Sequence, residues 1–287
     1  MTPQPITQGM IRAGSFDLGF TIEGSGRSAL VIGSSIYYPR TFSADLRRFL
    51  RLAFVDHRGF GVPLRPMTMA DWSLDEVLDD VELMRKKLDL GRVVVIGHSG
   101  HGFMALEYAK RFPEAVSHVA MIAMGPSHSP AHMALAERAW EEAFCPERKE
   151  RFAADMAALP DRIAADPEHR FVAFCLAMRA RSWFDPAYDA EPLWEGVHVN
   201  QAMFDHVWGE VFRDIDVARG LKDLDRPVFL GLGRFDYLVA PAVAWDPLRP
   251  LFRDLTVRVF DRSSHTPQLE EPAAFDAAFL DWLGRGS

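Results

Sequence analysis

Residues 92–96 read Arg-Val-Val-Val-Ile and run without a break into Gly97-His98-Ser99-Gly100-His101-Gly102. Three consecutive valines suit a strand buried on both faces of a parallel sheet better than any solvent-facing element. Residues 103–111 then have helical texture and stop at Phe112-Pro113, where proline ends the helix, and residues 116–124 read as another buried strand. Upstream, residues 28–32 (SALVI) end at Gly33-Ser34-Ser35 before a helix-like stretch over 42–50, and the apolar run 52–55 stops at Asp56-His57-Arg58-Gly59-Phe60-Gly61. Leu74, Val77, Leu78, Val81, Met84 and Leu88 recur at three- and four-residue steps behind Ser73, which with Glu76 predicts a capping box. Strands and helices alternating through short links imply an α/β fold, a mostly parallel central sheet with helices on both faces.

Beyond Gly125 the texture changes. Residues 126–222 carry helix formers and Trp140, Trp183, Trp194 and Trp208, with no strand run. Strand signals resume at Pro227-Val228-Phe229-Leu230-Gly231-Leu232 and over 255–260, and an amphipathic helix from about Pro272 closes the chain. The expectation is a core of residues 1–125 and 223–287 interrupted by a helical insertion, 126–222. A net charge of −8 argues against nucleic acid and anionic membrane as partners, and 48% hydrophobic residues suffice for a folded core. The two cysteines, Cys145 and Cys175, fit neither a disulfide framework nor a zinc spacing. Residues 1–7 lack the basic start and apolar stretch of a secretory signal, and no run approaches the roughly 20 apolar residues of a membrane span. A cytoplasmic protein is expected, of oligomeric state the sequence leaves open.

In an open parallel sheet, ligands bind beyond the carboxyl ends of the strands, so reactive side chains there matter most. Ser99 is the first. A strand turning sharply into a helix between glycines lifts the side chain at the turn, and the following amide, that of Gly100, lies at a helix N-terminus where negative charge is stabilised. His265 follows the strand over 255–260 and is the base a serine hydroxyl needs near neutral pH. Asp236, after the strand through Leu232, is placed to fix the tautomer of such a histidine. Taken singly, each has an ordinary reading: a turn serine, a loop aspartate, one of ten histidines. Jointly they follow three core strands in the order Ser, Asp, His, the chain order of an α/β-hydrolase triad.

With these residues the sequence resembles the α/β-hydrolase fold family, and within it the prolyl-iminopeptidase-like branch. Asp56-His57-Arg58-Gly59-Phe60-Gly61 resembles its D-x-R-G-x-G stretch, Gly233-Arg234-Phe235-Asp236 with Pro241 its acid-bearing segment, and Ser264-His265 with Glu271-Pro272 its histidine segment. The resemblance implies a serine hydrolase needing no cofactor, with residues 126–222 as a lid that selects the substrate. Two positions depart from it. Gly33-Ser34-Ser35-Ile36-Tyr37-Tyr38 replaces the H-G-G-P-G loop, so a main-chain amide of Ser34 or Ser35 is the candidate second oxyanion donor. His101 stands where a small residue is usual; packing that opens locally is the expectation, a role in the site the alternative.

For an iminopeptidase the lid must offer acids to the substrate ammonium, and Glu191, Glu195, Asp205 and Glu210 lie near Trp194 and Trp208. Tyr37 and His98 complete the candidate substrate contacts. The same aromatic lid suits an acyl ester or a lactone, which needs no acidic clamp. The readings are therefore release of N-terminal proline from short peptides, hydrolysis of small esters or lactones, and a binding protein that keeps the scaffold without catalysis. No metal is expected: His128 and His132 are separated by Pro130, and no H-E-x-x-H occurs. Gly97–Gly102 matches no dinucleotide fingerprint.

Overall fold

A computed structural model describes residues 6–284; the remaining ends of the expected core lie outside that range. The strands are β1 (Thr7–Ala13), β2 (Phe16–Glu23), β3 (Arg27–Gly33), β4 (Leu50–Asp56), the two-residue β5 (Val62–Pro63), β6 (Val93–His98), β7 (Val116–Ile122), β8 (Val228–Gly233) and β9 (Leu255–Phe260). They form one sheet in the order β1-β2-β4-β3-β6-β7-β8-β9, with β5 paired to β2. All pairs from β4 to β9 along that order are parallel, while β1, β2 and β5 pair antiparallel.

The run of valines explains the layering. Alternate residues of a strand face opposite sides, so Val93 and Val95 pack into one core with helix α1 (Leu74–Lys87) and helix α2 (Gly100–Arg111). Val94 and Ile96 face the other core, beneath Tyr38, Phe42 and the C-terminal Phe275, Phe279 and Trp282. Both faces of the sheet are covered, as an all-buried strand demands. Between β7 and β8 the chain is helical: α3 (Pro130–Glu142), α4 (Pro146–Ala165), α5 (Arg170–Ala177), α6 (Arg179–Ser182), α7 (Glu191–Trp194), α8 (Gln201–His206) and α9 (Phe212–Asp214). A π-helical turn, Val207–Val211, joins the last two. After β9 come α10 (Pro267–Glu270) and α11 (Pro272–Gly284). No described helix is long and apolar enough to cross a membrane.

Two expectations need correction, and one hairpin has no counterpart among them. The stretch 42–50 forms only a 3-10 turn, Leu46–Arg48, because Arg47 caps the carbonyls of Pro39, Phe42 and Ser43 and Ser43 Oγ takes the Leu46 N–H. Those local bonds hold the chain tight enough for β4 to begin at Leu50. The hairpin β1–β2 is weakly encoded: Phe16, Leu18, Phe20 and Ile22 alternate in β2, but β1 is an edge strand with mostly exposed residues. The capping box is half made: Ser73 Oγ accepts from Glu76 N–H at 3.2 Å, but the Glu76 carboxylate turns to Arg58 at 2.7 Å.

That arginine gives the D-x-R-G stretch a structural meaning. Its guanidinium donates to Asp80 through Nε at 2.5 Å and Nη2 at 3.1 Å, and to the Asp71 carbonyl at 2.9 Å, with both charged side chains 7% exposed. It thereby ties the loop after β4 to α1. Asn200 continues the tie into the helical segment, its N–H donating to the Gly59 carbonyl at 2.7 Å and its side-chain amide to the Gly61 carbonyl at 2.8 Å. Arg58→Met strands the Asp80 carboxylate in the core and is expected to lower unfolding free energy by about 3–5 kcal/mol. Urea unfolding of this variant and of Arg58→Met/Asp80→Leu checks it: the double replacement recovers most of the loss.

Candidate active site

Ser99 joins β6 to α2 with φ +57° and ψ −132°, a conformation costing a residue with a side chain about 1–3 kcal/mol. Its N–H donates to the Ile122 carbonyl and its own carbonyl accepts from Gly102 N–H, both at 2.8 Å. A Cβ on Gly97 would stand 2.0 Å from the His101 carbonyl oxygen, so only glycine lets the helix start this close to the strand. The Ser99 side chain makes no capping bond and lines a cavity of about 190 Å³.

His265 lines the same cavity. Its Nδ1 lies 2.8 Å from Asp236 Oδ2, and because a carboxylate only accepts, the Nδ1 carries the proton and Nε2 keeps its lone pair. The other Asp236 oxygen accepts from Leu238 N–H at 3.0 Å. The two loops are zipped together: Phe235 N–H donates to the Ser263 carbonyl at 2.9 Å, and Ser264 Oγ donates to the Phe235 carbonyl at 2.7 Å. Glu270, unread in the sequence, braces the histidine from behind by accepting from Ser264 N–H and Thr266 N–H, each at 3.0 Å. Burial pushes its carboxyl pKa up, against the pull of those amides.

The cavity wall is aromatic. Phe171 and Phe204 stand 4.2 Å apart, Phe204 and Trp208 4.5 Å, and Tyr37 and Trp194 4.6 Å, all between ring centroids. Of the candidate substrate contacts, Tyr37, His98, Trp194 and Trp208 line it. Glu195 and Glu210 do not: both are exposed, and Glu210 sits 3.2 Å from His206. Glu191 and Asp205 are exposed as well, Asp205 paired with Arg170. Short helices set which residues turn inward, and here Phe204 and Trp208 take the inner face. Among the described residues lining the cavity none carries a carboxylate. Cys175 lines it as a thiol whose pKa burial pushes up to about 12, so it is no nucleophile at neutral pH.

Of Ser34 and Ser35, the structure corrects Ser35 in the same way. Neither lines the cavity. Ser35 N–H is committed to Asp56 Oδ1 at 2.6 Å, and Ser34 Oγ accepts from Ile36 N–H at 3.2 Å and Tyr37 N–H at 3.1 Å. The turn caps itself at these amides, while the side chains of Tyr37 and Tyr38 line the cavity. Gly100 does not line the cavity either; its N–H, the first amide of α2, has no partner within its helix by construction.

His101 contributes to the site, and the packing does not open to admit it. Its Nε2 lies 2.8 Å from His57 Nε2, and its Nδ1 2.8 Å from the Tyr38 hydroxyl and 3.1 Å from the His98 carbonyl. The chain's ends fix every proton in it. Gly59 N–H donates to His57 Nδ1 at 2.9 Å, so neutral His57 is protonated on Nε2 and donates to His101. His101 therefore carries its proton on Nδ1 and donates to Tyr38 and the His98 carbonyl. At the other end the His265 carbonyl can only accept, so His98 is protonated on Nε2 at 2.5 Å from it and takes the Tyr38 O–H on Nδ1 at 3.2 Å. Burial lowers the pKa of His57 to about 3, that of His98 to about 3 with help from nearby His265, and that of His101 well below its ordinary value.

Comparison with known proteins adds kinship. The family model described as alpha/beta hydrolase fold matches residues 32–272. The AB hydrolase superfamily protein YclE of Bacillus subtilis (strain 168) is 44% identical over 275 residues, covering 96% of this chain and 98% of that protein. A proline iminopeptidase of Heyndrickxia coagulans is 24% identical over 281 residues, covering 92% and 93%. Among solved structures, VinJ superposes with a TM-score of 0.72 at 21% identity, over 99% of this chain and all of that one (100%).

The proton assignment has two measurable consequences. Nitrogen-15 spectra of histidine-labelled protein are expected to give the Nδ1–H tautomer for His101 and Nε2–H for His57 and His98; any other pattern breaks the chain. Because these imidazoles have folded pKa values below the unfolded one, their stabilising share is complete above about pH 6.5 and is lost as pH falls toward about 3. Each neutral histidine adds about 1.4 kcal/mol per pH unit to the slope of unfolding free energy. His57→Gln should flatten that slope between pH 4 and 6 by about this amount.

Proposed function

The chain belongs to the α/β-hydrolase fold family, and from that premise we propose that it is a serine hydrolase cleaving carboxylic esters, lactones included, of small neutral apolar acyl groups. The observation that carries the reading is the Nδ1 contact of His265 with Asp236, 2.8 Å, which leaves Nε2 as a base in the cavity that Ser99 lines. Ser99 Oγ attacks the carbonyl carbon while its proton passes to His265 Nε2, and Asp236 stabilises the imidazolium. Gly100 N–H, at the N-terminus of α2, faces the oxyanion. As the tetrahedral species collapses, His265 returns the proton to the leaving alkoxide; water, deprotonated by the same nitrogen, then frees the acid. The helical segment between β7 and β8 acts as the lid.

Substrate class follows from the walls. A cavity of about 190 Å³ holds roughly one ring or a short chain, since about 150 Å³ of apolar space admits benzene. An N-terminal ammonium there lacks a carboxylate partner, and a buried unpaired charge costs several kcal/mol. The likeness to a proline iminopeptidase keeps proline release as the competing reading; the exposed positions of Glu191, Glu195, Asp205 and Glu210 weigh against it.

Turnover of p-nitrophenyl acetate, butyrate and benzoate, of a butyrolactone and of proline p-nitroanilide separates the readings. The esters are expected to react and the anilide not. Ser99→Ala should keep the fold and lose at least about a thousandfold in kcat. Preferential cleavage of the anilide would overturn the substrate class, and retained turnover in Ser99→Ala the mechanism.

A further inference from the structure

Acyl transfer of the proposed kind needs two donors at the carbonyl oxygen, and this chain has one obvious main-chain amide, that of Gly100. In the turn after β3 four successive amides, those of residues 35–38, are already engaged. Ser35 N–H is held by Asp56 at 2.6 Å, Ile36 and Tyr37 N–H by Ser34 Oγ at 3.2 and 3.1 Å, and Tyr38 N–H by the Ser34 carbonyl at 3.2 Å. We propose that the indole Nε1–H of Trp208 is the second hydrogen-bond donor to the carbonyl oxygen that Ser99 attacks. The inference rests on the serine-hydrolase reading above and adds to it a residue from the helical segment.

Four observations place the indole there. A Cβ on Gly100 would meet Trp208 Cε2 at 2.5 Å and Cζ2 and Nε1 each at 2.6 Å, so the ring edge that carries the N–H lies on the residue whose amide is the first donor. Glycine at position 100 is the condition for that approach. Trp208 lines the cavity, and its Nε1–H meets no acceptor among the described residues, although indole N–H groups in protein interiors normally find one. The ring is fixed on its other sides by Phe204 at 4.5 Å, Phe212 at 5.0 Å and His101 at 5.3 Å between centroids. Finally, Trp208 rides on the π-helical turn Val207–Val211, a geometry that recurs at functional sites because it re-aims one side chain. The His128 ring lies 3.3 Å from the Trp208 carbonyl through Nδ1, and His128 N–H donates to the Phe212 carbonyl at 2.8 Å, so the turn has its own anchors.

A donor aimed at the oxyanion acts on kcat, whereas a ring that only fills space acts on binding. Trp208→Phe keeps the aromatic packing and removes the N–H. With p-nitrophenyl acetate, kcat should fall about a hundredfold with KM within about twofold, and affinity for a trifluoromethyl ketone should fall by the same factor as kcat/KM. In the wild-type protein, labelled with nitrogen-15 at indole, the Trp208 proton is expected to move downfield when diisopropyl fluorophosphate modifies Ser99 and places a P=O oxygen at the site; the Trp208→Phe spectrum assigns the signal. An unmoved resonance on adduct formation overturns the proposal, as does a Trp208→Phe protein whose kcat stays within twofold while KM rises. The serine-hydrolase reading fails by a different signal: no modification of Ser99 by the phosphorylating reagent, or full turnover in Ser99→Ala, removes that reading and this donor with it.

Discussion

A serine held at φ +57° at the end of a strand whose residues are all buried constrains everything around it. The strain, about 1–3 kcal/mol, persists only because relaxation would pull β6 or α2 out of register. β6 lies between β3 and β7 in the sheet and packs on both faces. Each of its buried valines contributes on the order of 1.5–3 kcal/mol of apolar burial, so the sheet outweighs the strain several times over. The turn is consequently rigid, and a side chain on it keeps one direction.

Rigidity at Ser99 would be of little use if its neighbours could drift. His98 and His101 flank it, and both reach the Tyr38 hydroxyl, at 3.2 and 2.8 Å. The chain continues to the loop after β4 through His57 and to the loop after β9 through the His265 carbonyl. Three buried imidazoles are tolerable because both ring nitrogens of each have a partner; a missing partner would cost about 1–3 kcal/mol. Such a network has one arrangement. Protonating His101 would set two N–H groups head to head across 2.8 Å, so the geometry and the neutral state depend on each other.

What the sequence made legible was whatever is encoded in short apolar runs and the residues just after them. The runs ending at Ile32, Val55, Ile96, Leu232 and Phe260 are strands, and Ser99, Asp236 and His265 follow three of them. Main-chain availability was not legible, since nothing in Ser34-Ser35 announces that Asp56, on the adjacent strand, takes the Ser35 amide. Neither was the inward face of the helical segment: α7 and α8 are 4 and 6 residues long, too short for periodicity to separate Glu195 and Glu210 from Phe204 and Trp208. His101 was visible as an irregularity. Its partners, His57 and Tyr38, lie on other elements, and a chain of hydrogen bonds across four of them has no sequence spacing to find.

The walls of the cavity complete the physical picture. Aromatic faces and neutral imidazoles surround Ser99, with Glu191, Glu195, Asp205 and Glu210 of the helical segment outside in water. In such surroundings electrostatic effects are stronger than in water and every charge needs a nearby partner. The reaction proposed creates two charges, an imidazolium and an oxyanion. The first forms against Asp236, and the second forms over the start of α2, whose dipole favours it. A neutral acyl group adds no third charge, whereas a charged one would have to shed its hydration with nothing in the wall to replace it. Selection in a pocket of this kind therefore works through desolvation, and it favours the substrate that has least water to lose.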